Sequence, residues 1–135
     1  MVVAVVLAVA AGMAWAVSIT CPTSGDCIGS READTLTGGS GFQRIAGLEG
    51  SDIISGGGLS DEIHGDEAND TIEDGSATEF DADLIYGDEA NDTIDVQEGD
   101  GSVDTVFCGP GIKDKVFFDQ GFDTVTGCEK KNLVQ

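Results

Sequence analysis

The residues of this chain best placed to do chemistry are aspartates at a near-constant spacing. Aligned on the pattern Asp-x-aliphatic they are Asp34, Asp52, Asp61, Asp70, Asp83, Asp92, Asp104, Asp114 and Asp123, with Gln43 standing second in the series. The aliphatic two residues later is Leu36, Ile45, Ile54, Ile63, Ile72, Ile85, Ile94, Val106, Val116 and Val125. The intervals run 9, 9, 9, 9, 13, 9, 12, 10 and 9 residues. Carboxylates are hard oxygen donors, so a row of them implies a bound cation.

A period of nine residues implies a solenoid. In the cleanest copy, residues 47–55, a glycine-containing turn ends in Asp52, and Ile53-Ile54-Ser55 can form a short strand. Alternation along that strand sends Ile54 inward and its neighbours outward. One inward aliphatic per repeat makes a core only when coils stack. The expected architecture is therefore all-β: a parallel β-roll of about ten nonapeptide repeats, with two repeats to a coil of about 18 residues. Stacking also places like charges in rows along the turns. A cation between turns would remove that repulsion and couple metal binding to folding.

These residues resemble the RTX (hemolysin-type) calcium-binding repeat, GGxGxDxUx, in which U is a large aliphatic. Gly38-Gly39-Ser40-Gly41 and Gly56-Gly57-Gly58 match its glycine turn, and Asn69-Asp70-Thr71-Ile72 and Asn91-Asp92-Thr93-Ile94 match its ending. The resemblance covers roughly residues 29–126. It implies Ca2+ as cofactor, held between turns on the same side by the turn aspartates and by backbone carbonyls of the glycine loops. The ligand set it implies is Asp34, Asp52, Asp61, Asp70, Asp83, Asp92, Asp104, Asp114 and Asp123, with Gly47, Gly50, Gly56, Gly65 and Gly87.

Sorted by repeat parity, Asp34, Asp52, Asp70, Asp92 and Asp114 fall on one side, and Gln43, Asp61, Asp83, Asp104 and Asp123 on the other. The octapeptide Gly-Asp-Glu-Ala-Asn-Asp-Thr-Ile occurs at 65–72 and again at 87–94, which should stack directly, with the extra residues between Asp74 and Ala82 bulging from the opposite side. The pattern also has departures. Gln43 replaces an aspartate, so the site it shares with Asp61 is weakened. Leu59, Ala68, Ala90, Asp66 and Asp88 replace turn glycines, which costs free energy wherever φ is positive. The repeats after Asp95 are irregular and contain Pro110. Glu32, Glu73 and Glu129 read as solvated surface.

With 26 Asp and Glu against 6 Lys and Arg, the formal charge is −20. That excludes nucleic acid and anionic membrane surfaces as partners. Val2–Val17 is apolar and uncharged, and Ala14-Trp15-Ala16 suits cleavage after Ala16, although no Lys or Arg precedes it. The stretch is shorter than the ~20 residues that span a bilayer, so membrane contact is expected only if this segment is retained. Behind an export signal, Cys21, Cys27, Cys108 and Cys128 are expected to form disulfides, for which three connectivities exist. Cys21–Cys27 is favoured because a turn-forming stretch separates them. Cys108–Cys128 is favoured because their separation of 20 residues approximates one coil, which puts them about 4.8 Å apart.

The expected organisation is a signal peptide at 1–16, a disulfide-capped segment at 17–28, a calcium-binding β-roll at 29–128 and a tail at 129–135. His64, the only histidine, falls in an exposed ninth position, and no HExxH motif or nucleophile elbow is present. The outward seventh position is interrupted by Arg44, Glu62 and Lys115, unlike the flat threonine ladder of an ice-binding surface. The expectation is a secreted, non-enzymatic Ca2+-binding β-roll with no assignable protein partner. The alternative is a cell-surface structural or adhesive spacer module that Ca2+ rigidifies. Metal-bound carboxylates have lowered folded-state pKa values, so acid is expected to unfold the loaded protein.

Overall fold

The computed structural model describes residues 15–75, 81–97 and 101–134. Apart from Trp15 and Ala16, the expected signal peptide lies outside these residues, as do residues 76–80 of the expected bulge. Every regular element among the described residues is a strand. No helix among them is long and apolar enough to cross a membrane.

The strands are β1 (Ser18–Thr20), β2 (Gly25–Ile28), β3 (Thr35–Thr37), β4 (Gln43–Ala46), β5 (Ile53–Gly57), β6 (Glu62–His64), β7 (Thr71–Gly75), β8 (Leu84–Tyr86), β9 (Thr93–Val96), β10 (Thr105–Phe107), β11 (Lys115–Asp119), β12 (Thr124–Thr126) and β13 (Lys130–Val134). Odd-numbered strands form a seven-stranded sheet in the order β1-β3-β5-β7-β9-β11-β13. Even-numbered strands form a six-stranded sheet, β12-β10-β8-β6-β4-β2. All pairings are parallel, as a coil that always turns in one sense requires. The molecule is a β-solenoid of about six turns, as the nine-residue period implied.

Register follows the aliphatic position. Leu36, Ile54, Ile72, Ile94 and Val116 are successive partners in one sheet, and Ile45, Ile63, Ile85, Val106 and Val125 in the other. All but Val125, in the last coil, are fully buried. A slip of one residue would exchange most of these for a polar neighbour, so the pattern fixes the pairing.

A disulfide stands towards each end of the described stack. The Cys21–Cys27 disulfide, with Cα atoms 5.4 Å apart, and Ile19 cover the first coil. Cys108 and Cys128, with Cα atoms 5.2 Å apart, tie the β10 coil to the next. The sheets run beyond the 29–128 span on both sides, through β1 and β2 before it and β13 after it. In β13 the residue in register with Val116 is Lys131, whose Nζ donates to the carbonyl of Val125 at 3.1 Å. A charged residue where the stack needs no further apolar partner is the polar cap that solenoid ends require.

Candidate metal centre

Stacking brings the turn aspartates into two ladders. In the first, each Oδ1 accepts the backbone N–H of the residue one coil earlier: Val17 to Asp34 at 2.7 Å, Asp34 to Asp52 at 2.7 Å, Asp52 to Asp70 at 2.7 Å, Asp70 to Asp92 at 2.9 Å and Asp92 to Asp114 at 2.9 Å. The second ladder runs from Gln43 to Asp61 at 2.7 Å, Asp61 to Asp83 at 2.5 Å, Asp83 to Asp104 at 2.9 Å and Asp104 to Asp123 at 3.1 Å. Membership of each ladder follows repeat parity. The twin octapeptides are one coil apart, and Asn91 N–H also donates to Asn69 Oδ1 at 3.0 Å.

These carboxylates are interior groups. Asp34, Asp52, Asp61, Asp70, Asp83, Asp92, Asp104 and Asp114 are buried, and Asp123 is half-buried. One oxygen of each is therefore spent on holding the coil. The second oxygen is what can do further chemistry, and it is treated differently along the ladders. The Oδ2 atoms of Asp52, Asp61, Asp70, Asp92 and Asp114 are buried with no hydrogen-bond partner. By contrast, Asp34 Oδ2 accepts Ser30 N–H at 2.6 Å, Asp104 Oδ2 accepts the Ser102 hydroxyl at 3.1 Å, and Asp123 Oδ2 accepts Asp119 N–H at 2.7 Å.

A buried carboxylate oxygen without a partner costs free energy that something must offset. The surroundings of the turn glycines show what faces these oxygens. A Cβ added at Gly65 would lie 2.5 Å from Asp70 Oδ2 and 2.7 Å from the carbonyl oxygen of Gly87. At Gly87 it would lie 2.6 Å from Asp92 Oδ2 and 2.5 Å from the carbonyl oxygen of Cys108. At Gly47 it would collide with Asp52 Oδ2 and lie 2.6 Å from the Gly65 carbonyl. On the second side, Gly56 faces Asp61 Oδ2 at 3.2 Å and the carbonyl of Asp74. A cradle of carboxylate and carbonyl oxygens recurs in successive coils, and only a glycine leaves it open. Gly50 is placed otherwise, since at φ +107 it abuts the backbone of Glu32 and Ala33.

Electrostatics sets the same limit. Burial, reinforced by neighbouring carboxylates and opposed by the backbone N–H bonds, pushes Asp70 and Asp83 up to about 8. The same causes push Asp92 up to about 7 and Asp52 and Asp61 up to about 6, and Asp114 is raised as well. Burial thus makes ionisation of these carboxyls costly in the metal-free ladder, whereas a cation would favour the ionised form. All-oxygen donors with this charge fit Ca2+, which accepts about six to eight oxygens in flexible geometry.

Four copies of the RTX calcium-binding nonapeptide repeat match the chain, at residues 28–63, 37–72, 55–77 and 78–103, together more than half of its 135 residues. The chain belongs to the RTX calcium-binding repeat family. Neither the curated proteins nor the solved structures compared with it gave a match. The RTX copies take in Asp34 to Asp92 and end before Asp104, where the intervals become irregular. The RTX coil itself continues through β10 to β13.

The turns explain the tolerated departures from the RTX pattern. Leu48, Asp66 and Asp88 have φ of 80, 72 and 65°, and Leu59, Ala68 and Ala90 of 62, 77 and 82°. These non-glycine residues do occupy the left-handed region, which costs roughly 1–2 kcal/mol each. Gln43 keeps its place by different bonds, accepting Gly39 N–H at 3.1 Å and donating Nε2–H to the Thr23 carbonyl at 2.9 Å.

Three groups escaped sequence reasoning. Glu129, read as plain surface, is the last rung of the first ladder, accepting Asp114 N–H at 3.0 Å. Cys108 supplies the carbonyl that Gly87 faces, in register with earlier glycine carbonyls. Asp74 sits where a repeat would place its first glycine, and its carboxylate oxygens lie within 4.8 Å of those of buried Asp83 and Asp104. Continuing the nine-residue count past Glu73 would have singled out Asp74. Glu129 required knowing that the coil continues into β13.

Proposed function

We propose that this is a secreted, non-catalytic protein whose β-roll folds around Ca2+ ions held between successive turns. The observation that carries the reading is the pairing of partnerless Oδ2 atoms with a line of backbone carbonyls in the next coil. Asp52, Asp70 and Asp92 would hold ions with the carbonyls of Gly65, Gly87 and Cys108 respectively, and Asp61 with that of Asp74, while Asp114 would offer its second oxygen without a carbonyl from a following coil. Asp34, Asp104 and Asp123 would contribute less, because their second oxygens already accept bonds from their own turns. The ion would supply positive charge where buried carboxylates converge, and its binding free energy would become folding free energy.

Secretion is supported by the two disulfides, which persist in oxidising compartments, and by the apolar segment ending at Ala16. Extracellular calcium modules bind with Kd of about 10⁻⁴ to 10⁻³ M, an affinity suited to that setting. The absence of a role in catalysis is supported by the commitment of the ladder carboxylates to backbone N–H groups. Titrating the chelator-treated mature chain with Ca2+, by calorimetry and circular dichroism, tests the proposal. Heat of binding should accompany a gain of β signal. No heat and an unchanged spectrum would reject it.

A further inference from the structure

Among the described residues the aspartate ladders leave one metal-ligating cluster unused, on the outer surface where β6 enters its turn. Ile63 anchors β6 in the core, so Glu62 and His64 face outward. The His64 ring stacks on that of Tyr86 in β8, centroids 4.6 Å apart and 7° from parallel, and Tyr86 in turn stacks on Phe107 at 5.2 Å. The imidazole is thereby held in one plane, with its side chain only 21% exposed.

Its two nitrogens meet different partners. Nε2 lies 3.2 Å from Glu62 Oε1, and Nδ1 lies 3.0 Å from Asp88 Oδ2. If Nε2–H donates to Glu62, the Nδ1 lone pair points at a carboxylate oxygen, an arrangement that needs a positive charge between them. Asp66 completes the group. Ligand atoms of His64, Asp66 and Asp88 all lie within 4.8 Å of one another. Asp66 Oδ2 is steadied by Leu48 N–H at 3.3 Å, and Glu89 N–H donates to the Asp66 carbonyl at 2.8 Å, fastening the two turns together. The cluster adjoins a surface groove that Asp66 and Asp88 line with Leu48, Glu67, Glu89 and the Arg31–Glu49 ion pair.

We infer that His64, Asp66 and Asp88 form a separate site for a divalent transition metal that accepts imidazole nitrogen with carboxylate oxygen, of which Zn2+ is the test ion. Ca2+ takes oxygen donors alone, whereas one His with two carboxylates and an open position suits Zn2+. Glu62 on Nε2 is the outer partner that selects the tautomer with Nδ1 free for the metal. Asp66 and Asp88 stand in turn positions with φ of 72 and 65°, where glycine would be unstrained. Aspartate tolerates that backbone better than most residues, so it is the convergence of both carboxylates on His64 that marks the site.

The test is calorimetric titration of the full chain with zinc chloride in excess Ca2+, which occupies oxygen-only sites. One Zn2+ per chain should bind, and X-ray absorption should show nitrogen in its shell. His64→Gln should weaken binding at least about tenfold. Asp66→Gly with Asp88→Gly should do the same while leaving the Ca2+-loaded circular dichroism spectrum intact, because glycine suits both turns. Absence of Zn2+ binding in excess Ca2+ would overturn the inference and leave His64 as a hydrogen-bonded partner of Glu62 and Asp88. Equal affinity in either variant would overturn it too. The calcium proposal is judged by the Ca2+-dependent spectrum alone, so the two fail separately.

Discussion

The two aspartate ladders share a backbone pattern and differ in what is left over. In the first, Asp52, Asp70, Asp92 and Asp114 all keep a buried second oxygen without a partner. In the second, Asp61 does so among the described residues. There Gln43 is satisfied by Gly39 and Thr23, Asp104 by Ser102, and Asp123 by Asp119. The contrast separates two roles that one aspartate combines. Oδ1 builds the coil wherever the repeat occurs, whereas Oδ2 is available to a cation only where the turn does not occupy it. A match to the repeat therefore measures the fold better than it measures the number of ions.

The largest expected effect comes from breaking the first ladder. Asp70→Asn with Asp92→Asn should weaken Ca2+ binding at least tenfold more than Asp104→Asn with Asp123→Asn, measured by calorimetry. Equal losses would erase the distinction between the ladders.

Next is pH. The folded-state pKa values of Asp70, Asp83 and Asp92, pushed up to about 7–8, lie above the ordinary 3.8. Protons are therefore bound more tightly in the metal-free fold than in the unfolded chain. That contribution is complete below about pH 4 and is lost as pH rises through the folded values of about 7 to 8. In chelator the coil should be more stable at pH 5 than at pH 8, while Ca2+ affinity should fall over the same descent because protons compete for the carboxylates. Thermal unfolding at the two pH values checks both. For the loaded protein the expectation is still acid unfolding, because protons displace the ions that hold the ionised carboxylates. Greater stability of the chelated coil at pH 8 would contradict the order expected in chelator.

A smaller effect is expected from repairing the second ladder. Gln43→Asp should add one Ca2+ to the calorimetric stoichiometry, at a cost of about 1 kcal/mol in metal-free stability for the lost amide bonds. The smallest is at the turns. Ala68→Gly and Ala90→Gly, at φ of 77 and 82°, should each stabilise the coil by about 0.5–1 kcal/mol in chemical denaturation.

Much of this was legible in sequence because the solenoid repeats a local rule. The aliphatic two residues after each aspartate fixed the register, and the interval between Asp70 and Asp92 located the stacking of the twin octapeptides. What was not legible depends on contacts between coils. The second oxygens of Asp34 and Asp104 are taken by Ser30 and Ser102, and nothing in the spacing distinguishes those turns from that of Asp70. His64 was read as exposed surface because its partners, Asp88 and Tyr86, come from the next coil.

The central claim is that cations offset the burial of these carboxylates, and thermal unfolding at pH 7.5 with Ca2+ and with chelator tests it most directly. Saturation at about 100 times Kd should stabilise each occupied site by about 2.7 kcal/mol. The account therefore predicts a Tm that is lowest in chelator and rises with Ca2+ concentration. An identical Tm in Ca2+ and in chelator would contradict it.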